Sequence, residues 1–181
     1  MAILLFCTAE EAKPLIPTIM SVEQAADTWF FALAESREGP GEDGNFKNKL
    51  EEGATVETDF IGASEQDCRT WAQEQMEHLN TIDGDLIAIA DKRTASDHTI
   101  SLQFFNGNSD DLEFDGYGKL PTENNKWYSF RVKYKDSFNI FAAFTEGAID
   151  VVYPTYFGRQ DELTDEDGIF NVEKAEDLCI E

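Results

Sequence analysis

The sequence predicts a single α/β domain on one mixed sheet, parallel at its start and antiparallel later, with helices packed against it. Four stretches carry that expectation. Leu86-Ile87-Ala88-Ile89-Ala90 is apolar on both faces of a strand, which suits the middle of a covered sheet. Before it come an alternating stretch, Thr55 to Phe60, and a helical stripe of Cys68, Trp71, Ala72, Met76 and Leu79. Strand, helix and strand in that order make a βαβ unit with parallel strands and a right-handed crossover. After only a short turn, Thr99 to Phe105 alternates again, so it pairs antiparallel with its predecessor.

Taken in order, Ile3 to Cys7 is a short apolar run and reads as a buried strand. Thr8-Ala9-Glu10-Glu11 opens a helix that Pro14 and Pro17 hold to about a turn. Ser21 to Gln24 is a second capping pattern, and Val22, Ala25, Ala26, Trp29, Phe30, Leu33 and Ala34 share one face of a helix over 22–35. Residues 37–53, rich in glycine and charge, form a linker or loop. It separates an N-terminal strand and helix (1–36), packing on the rest, from a main domain over 54–181. A helix over 64–80 starts at Ser64 and Asp67. Residues 106–125 form a long polar excursion with one short strand near Leu112 to Phe114. Trp127 to Tyr134 is a strand, followed by a helix over 137–146 with Gly147 at its C′ position. Ile149 to Phe157 reads as a strand, which Pro154 confines to an edge.

With 181 residues the chain suits one domain, and 41% hydrophobic residues with 14 Phe supply a core, which argues against disorder. No run approaches the roughly 20 apolar residues that span a bilayer. The opening Met1 to Thr8 lacks a basic start and runs into Glu10 and Glu11, unlike a signal peptide. Cys7, Cys68 and Cys179 form no close pair, which favours reduced thiols and a cytoplasmic setting. His78 and His98 are too few for a histidine-rich zinc site.

A formal net charge of −23 sets the class of partner. Nucleic acid and anionic membrane carry the same sign and are not expected as direct partners. A basic protein is favoured. The densest acidic clusters are Asp110, Asp111, Glu113 and Asp115, and Asp165, Glu166 and Asp167. From Glu146 onward 11 acids face only Arg159 and Lys174, a net of −9.

Ligands of parallel sheets bind beyond the carboxyl ends of the strands. There the predicted strands deliver Cys7-Thr8, Asp59 and Asp91, with Lys92 and Arg93 next in sequence. Two carboxylates beside a base suit a divalent cation or a phosphate-bearing group, so Asp59, Asp91 and Arg93 are candidate binding residues, joined by Arg131 on the later strand. The alternative is that the aspartates cap the helix and turn that follow them. Cys7 reads as a buried structural cysteine; Lys13 stands where the phosphatase pattern of Cys, five residues and Arg needs its arginine. Asp165 to Asn171 echoes part of a calcium loop, but Leu163 and Lys174 fall at its terminal ligand positions, so a polar turn with Phe170 returning to the core is expected. No nucleophile elbow and no glycine-rich phosphate loop is present. Phe104, Phe105, Phe114, Tyr117 and Trp127 bracket the acidic excursion and are expected in the core; exposed together they would make a binding patch.

Four segments recur in an order that resembles an uncharacterised, mainly actinobacterial domain family: Thr58-Asp59-Phe60, Ala90-Asp91-Lys92-Arg93-Thr94-Ala95, Phe130-Arg131-Val132 and Asp165 to Phe170. The resemblance covers about residues 54–171. Lys92 interrupts the Ala-Asp-Arg run, the 106–125 segment is long, and about 53 N-terminal residues are extra. It implies a compact α/β domain and no reaction. The expectation is therefore a cytoplasmic, non-enzymatic acidic domain that binds a basic protein, as immunity and inhibitor proteins do, without cofactor or metal. An enzyme or small-ligand domain using the Asp59, Asp91 and Arg93 edge, and a self-associating structural protein, are the alternatives.

Overall fold

A computed structural model of the chain describes residues 2–21, 30–41, 45–51, 53–76, 82–107 and 112–180. Its centre is a five-stranded sheet. β1 (Ala2–Cys7), β2 (Phe31–Leu33), β3 (Ile82–Ala90), β4 (Thr99–Asn106) and β7 (Lys126–Lys133) stand in the order β2-β1-β3-β4-β7. β5 (Glu113–Phe114) and β6 (Gly118–Lys119) form a separate small hairpin. β1 runs parallel to both β2 and β3, whereas β3–β4 and β4–β7 are antiparallel. The mixed α/β class expected from the sequence is what the chain adopts.

Alternate residues of β1 and β3 feed two apolar layers. Ile3, Leu5, Leu86 and Ala88 face one; Leu4, Phe6, Ile87 and Ile89 face the other. The first layer is closed by a short 3-10 helix (Glu10–Leu15) and α1 (Ile16–Met20), then α4 (Ser137–Glu146), α5 (Ile149–Tyr156) and α7 (Val172–Ile180). The second is closed by α2 (Glu65–Met76), whose Cys68, Trp71 and Ala72 are buried. Phe6, Phe60 and Trp71 meet edge to face there, with centroids 4.9 to 5.7 Å apart. Two short helices complete the chain, α3 (Thr94–Asp97) and α6 (Gln160–Leu163). Among the described residues no helix is long and apolar enough to cross a membrane.

Four elements depart from the sequence reading. The helix expected to stop within about a turn at Pro14 and Pro17 continues from Glu10 to Met20 as the 3-10 helix and α1, because Pro17 sits in the first turn of α1 where no N–H is needed, and no side chain caps its start. The helix expected over 22–35 contains β2 instead at Phe31–Leu33; residues 22–29 lie outside the described residues. Phe30 to Ala34 are all buried, as a strand covered on both faces requires, and the ladder continues through Ile3 N–H to the Phe30 carbonyl (2.8 Å) and Ala34 N–H to the Leu5 carbonyl (3.0 Å). Thr55 to Phe60 is consequently not a strand, because β2 holds the place beside β1 and Lys47 closes the far side of β2. The βαβ crossover is β2-α2-β3, with β1 between its strands. Ile149 to Phe157 is helical rather than an edge strand: Val152, Tyr153 and Tyr156 turn inward at helical spacing while Ile149 and Val151 are exposed. The outer edge of β7 is instead covered near Phe170, whose N–H donates to the Arg131 carbonyl at 2.8 Å.

The helix expected over 137–146 is α4, and α2 begins at the expected capping pair. Ser64 N–H and Oγ both donate to Asp67 Oδ2, and Asp67 N–H returns to Ser64 Oγ. Residues 77–80 lie outside the described residues. Gly147 follows α4, but its φ is −74°, so the left-handed C′ cap is not used. Glycine serves close packing there: a Cβ would sit 2.4 Å from the Ala143 carbonyl oxygen and 2.5 Å from Val152 Cγ2.

Candidate functional site

The parallel strands β1, β2 and β3 end at one edge. The β1-to-β2 connection packs in the first apolar layer and α2, between β2 and β3, in the second. The space beyond the carboxyl ends of such strands is where open α/β sheets bind their ligands. In this chain Thr8 bridges it. Thr8 N–H donates to the Ala90 carbonyl at 2.9 Å, and the Thr8 carbonyl accepts from Gly62 N–H at 2.8 Å. Lys92 reaches Glu11 across the same mouth at 3.6 Å.

Asp91 follows β3 directly. Its Oδ1 accepts from the backbone N–H of Arg93 (3.0 Å) and of Thr94 (3.2 Å), which forms the turn into α3. Arg131, brought alongside by β7, grips both carboxylate oxygens and also donates to Thr99 Oγ1 at 3.3 Å. Burial alone would push the Asp91 carboxyl up. The hydrogen bond and charge of Arg131, with the Thr94 and Arg93 amides, outweigh burial and hold it below the usual aspartate range. Arg93 turns away to Asp97 Oδ2 (2.7 Å) and the Asp167 carbonyl (2.7 Å). Asp97 is likewise held low: burial opposes, but the Thr99 hydroxyl and Arg93 prevail.

Three of the four candidate binding residues thus meet, with Asp91 as the shared acceptor for Arg93 and Arg131. Asp59 belongs to a different unit on the same edge. Its Oδ2 accepts from Arg37 N–H at 3.1 Å, its carbonyl accepts from Arg37 Nε at 3.3 Å, and the guanidinium lies 4.9 Å over the Phe60 ring. The Asp91 carboxylate is turned toward the Arg131 guanidinium and the Asp59 carboxylate toward the Arg37 backbone N–H. Among the described residues no three His, Cys, Asp or Glu side chains are placed to share a metal ion. The Cys7 thiol is buried, donates to the Ala9 carbonyl, and is pushed up to about 11 by burial, so it is a protonated thiol at neutral pH.

The acidic clusters divide as well. Asp110 and Asp111 lie outside the described residues, while Glu113 and Asp115 are exposed. In the turn between α6 and α7, Asp165 Oδ1 accepts from Asp167 N–H (3.0 Å) and Ile169 N–H (2.8 Å), and Gly168 takes φ +75°. Asp165 therefore shapes the turn, Glu166 and Asp167 project from it, and Phe170 returns to the core. Arg159 and Lys174 converge on one carboxylate, Glu162, at 2.9 and 3.6 Å. Of the aromatics, Phe104 is buried, Phe105, Phe114 and Trp127 are half-buried, and Tyr117 is exposed.

A buried polar network escaped the sequence reading. Arg69 Nε of α2 donates to Gln103 Oε1 at 2.9 Å, and Gln103 Nε2 donates to Ser101 Oγ and Ser129 Oγ. Alternation alone assigns Ser101 and Gln103 to a solvent face. Only the arginine on the buried side of the α2 stripe hints that they are covered.

Comparison with protein-family models, with curated proteins and with solved structures finds no match for this chain.

Proposed function

We propose that this chain is a cytoplasmic, non-enzymatic binding domain whose acidic surface engages a basic protein. One observation carries the reading: both cations of the 146–181 segment are spent on Glu162, so the exposed Asp150, Asp161, Glu166, Glu173 and Asp177 stand without basic neighbours from that segment. The rest of the molecule follows the same economy. Lys13, Lys47, Lys92 and Lys126 are engaged by glutamates, Arg69 by Glu65, and Arg93 and Arg131 by aspartates. A net charge of −23 with many of its cations internally paired attracts a cationic partner and steers its approach. The Asp91 and Asp59 units, closed by their own arginines, fit a role in holding the edge together.

The test is affinity capture with the full chain from its source cells at low and high salt, read by mass spectrometry. One basic protein recovered in stoichiometric amount at low salt, and lost at high salt, is the expected result. A bait that returns without a cationic partner at any salt would sink the reading.

A further inference from the structure

The stretch that looks like a strand in sequence and is not one in the fold borders a groove. Residues 54–58 form neither helix, turn nor bend. They keep the alternation of a strand, with Val56 buried and Thr55 and Glu57 exposed. The stretch is pinned at both ends: Ala54 N–H donates to the Glu51 carbonyl at 3.0 Å, Thr58 Oγ1 to the Ala34 carbonyl at 3.1 Å, and Asp59 N–H to the Glu35 carbonyl at 2.8 Å. Between the pins, the backbone groups of Thr55, Val56 and Glu57 have no hydrogen-bond partner among the described residues. Elsewhere the fold covers its exposed backbone, at Lys47 beside β2 and at Phe170 beside β7.

Opposite this stretch lie Lys13, Pro14 and Pro17, and the space between is about 670 Å³, within the range of peptide and ligand sites. The prolines have no N–H, so this wall offers fewer donors to compete for an incoming backbone and supplies an apolar surface instead. The charge of the groove is net acidic. Lys13 Nζ lies 3.1 Å from Glu10 and 3.7 Å from Glu57, and both carboxylates are largely exposed.

From these placements we infer that the groove takes an extended, lysine- or arginine-bearing segment of a partner protein, which adds itself as a strand along Thr55–Glu57. The unpaired backbone supplies the ladder. Glu10 and Glu57 select cations on one face of the segment, and the proline wall accepts small apolar side chains on the other. The three residues Thr55 to Glu57 span about 10 Å at strand rise, so three or four partner residues are seated. The inference rests on the reading of the chain as a binder of basic protein and names where, and in what conformation, that partner is held.

The test uses the full, 15N-labelled chain and a blocked peptide of about eight residues alternating Lys and Val. Two controls are the same peptide N-methylated at alternate amides and its Glu-Val counterpart. Saturable amide shifts at Thr55–Glu57 and Lys13 are expected. Binding should weaken roughly tenfold or more on N-methylation, and similarly with Glu57→Lys, whose side chain is exposed and whose fold is checked by its thermal melt. Glu74→Lys, an exposed position on α2, should leave it unchanged. Shifts confined to α6 and α7, or indifference to N-methylation, would overturn strand addition while leaving the acidic-binder reading in place. Failure of the peptide while a basic protein is still captured would do the same. Failure of both peptide and capture would remove both.

Discussion

Asp91 illustrates how much one side chain does at the edge of the sheet. It closes the α3 turn through the Arg93 and Thr94 amides and ties β3 to β7 through Arg131, with β4 between them. Asparagine keeps one acceptor oxygen for the turn but loses the charge that Arg131 pairs with. Asp91→Asn is therefore expected to cost about 2 kcal/mol at pH 7, below the figure for a fully buried pair because Asp91 is only half-buried. The sign of the pH dependence follows from the lowered carboxyl. A depressed folded-state value means the stabilisation is present above the ordinary aspartate range and is lost as pH falls through the folded value. Asp97 contributes in the same direction but is common to both proteins and cancels in their difference. Urea melts at pH 7 and near pH 3 should show the gap between the two proteins closing at acid pH. A gap that does not change would show that the pairing is not the source of the loss.

At the scale of elements, Gly147 separates two helices by close contact. A methyl group there meets the Ala143 carbonyl and Val152 together, and neither yields without moving α4 or α5. Gly147→Ala is expected to destabilise by about 1–3 kcal/mol through overpacking, although its φ is one that alanine adopts freely. A denaturant melt unchanged by the substitution would show that the corner relaxes. The same corner shows where sequence reading stops. Residues 149–157 are β-branched and aromatic enough to read as a strand, and Pro154 strengthens that reading; only packing against the β5–β6 hairpin and α7 decides for a helix. Phe30 to Ala34 is ambiguous for a related reason, since a short, wholly apolar run has no period. Elements with a clear period or cap, namely α2, α4, β3 and β4, are legible. The candidate site is legible in part: the spacing placed Asp91 and Arg93 at a strand end, but the pairing of Arg131 with Asp91 and of Arg37 with Asp59 depends on strand order, which propensity does not contain.

At the scale of the molecule, charge acts on folding and on binding with opposite sign. Compacting a chain of net charge −23 brings like charges together, so self-repulsion opposes the fold. Salt relieves it: the screening length falls from about 30 Å at 0.01 M to about 8 Å at 0.15 M. The attractive pairs lose little over that range. Several are exposed and contribute at most about 1 kcal/mol each, such as Lys92 with Glu11, and the half-buried Asp91–Arg131 pair is shielded from ions by its surroundings. Raising salt from about 0.01 to 0.15 M should therefore raise the melting temperature by about 3–5 °C, which corresponds to roughly 1–2 kcal/mol for a chain of this size. The same change should lower the association rate with a cationic partner about tenfold or more, because steering depends on the field that salt removes. One titration followed by thermal melts and by association kinetics reads both. A melting temperature that falls with salt would mean that specific ion pairs, rather than net repulsion, dominate the fold. An association rate indifferent to salt would mean that the acidic surface does not recruit the partner. Opposite movement of the two is the signature of a surface whose charge is kept at the expense of stability because it serves binding.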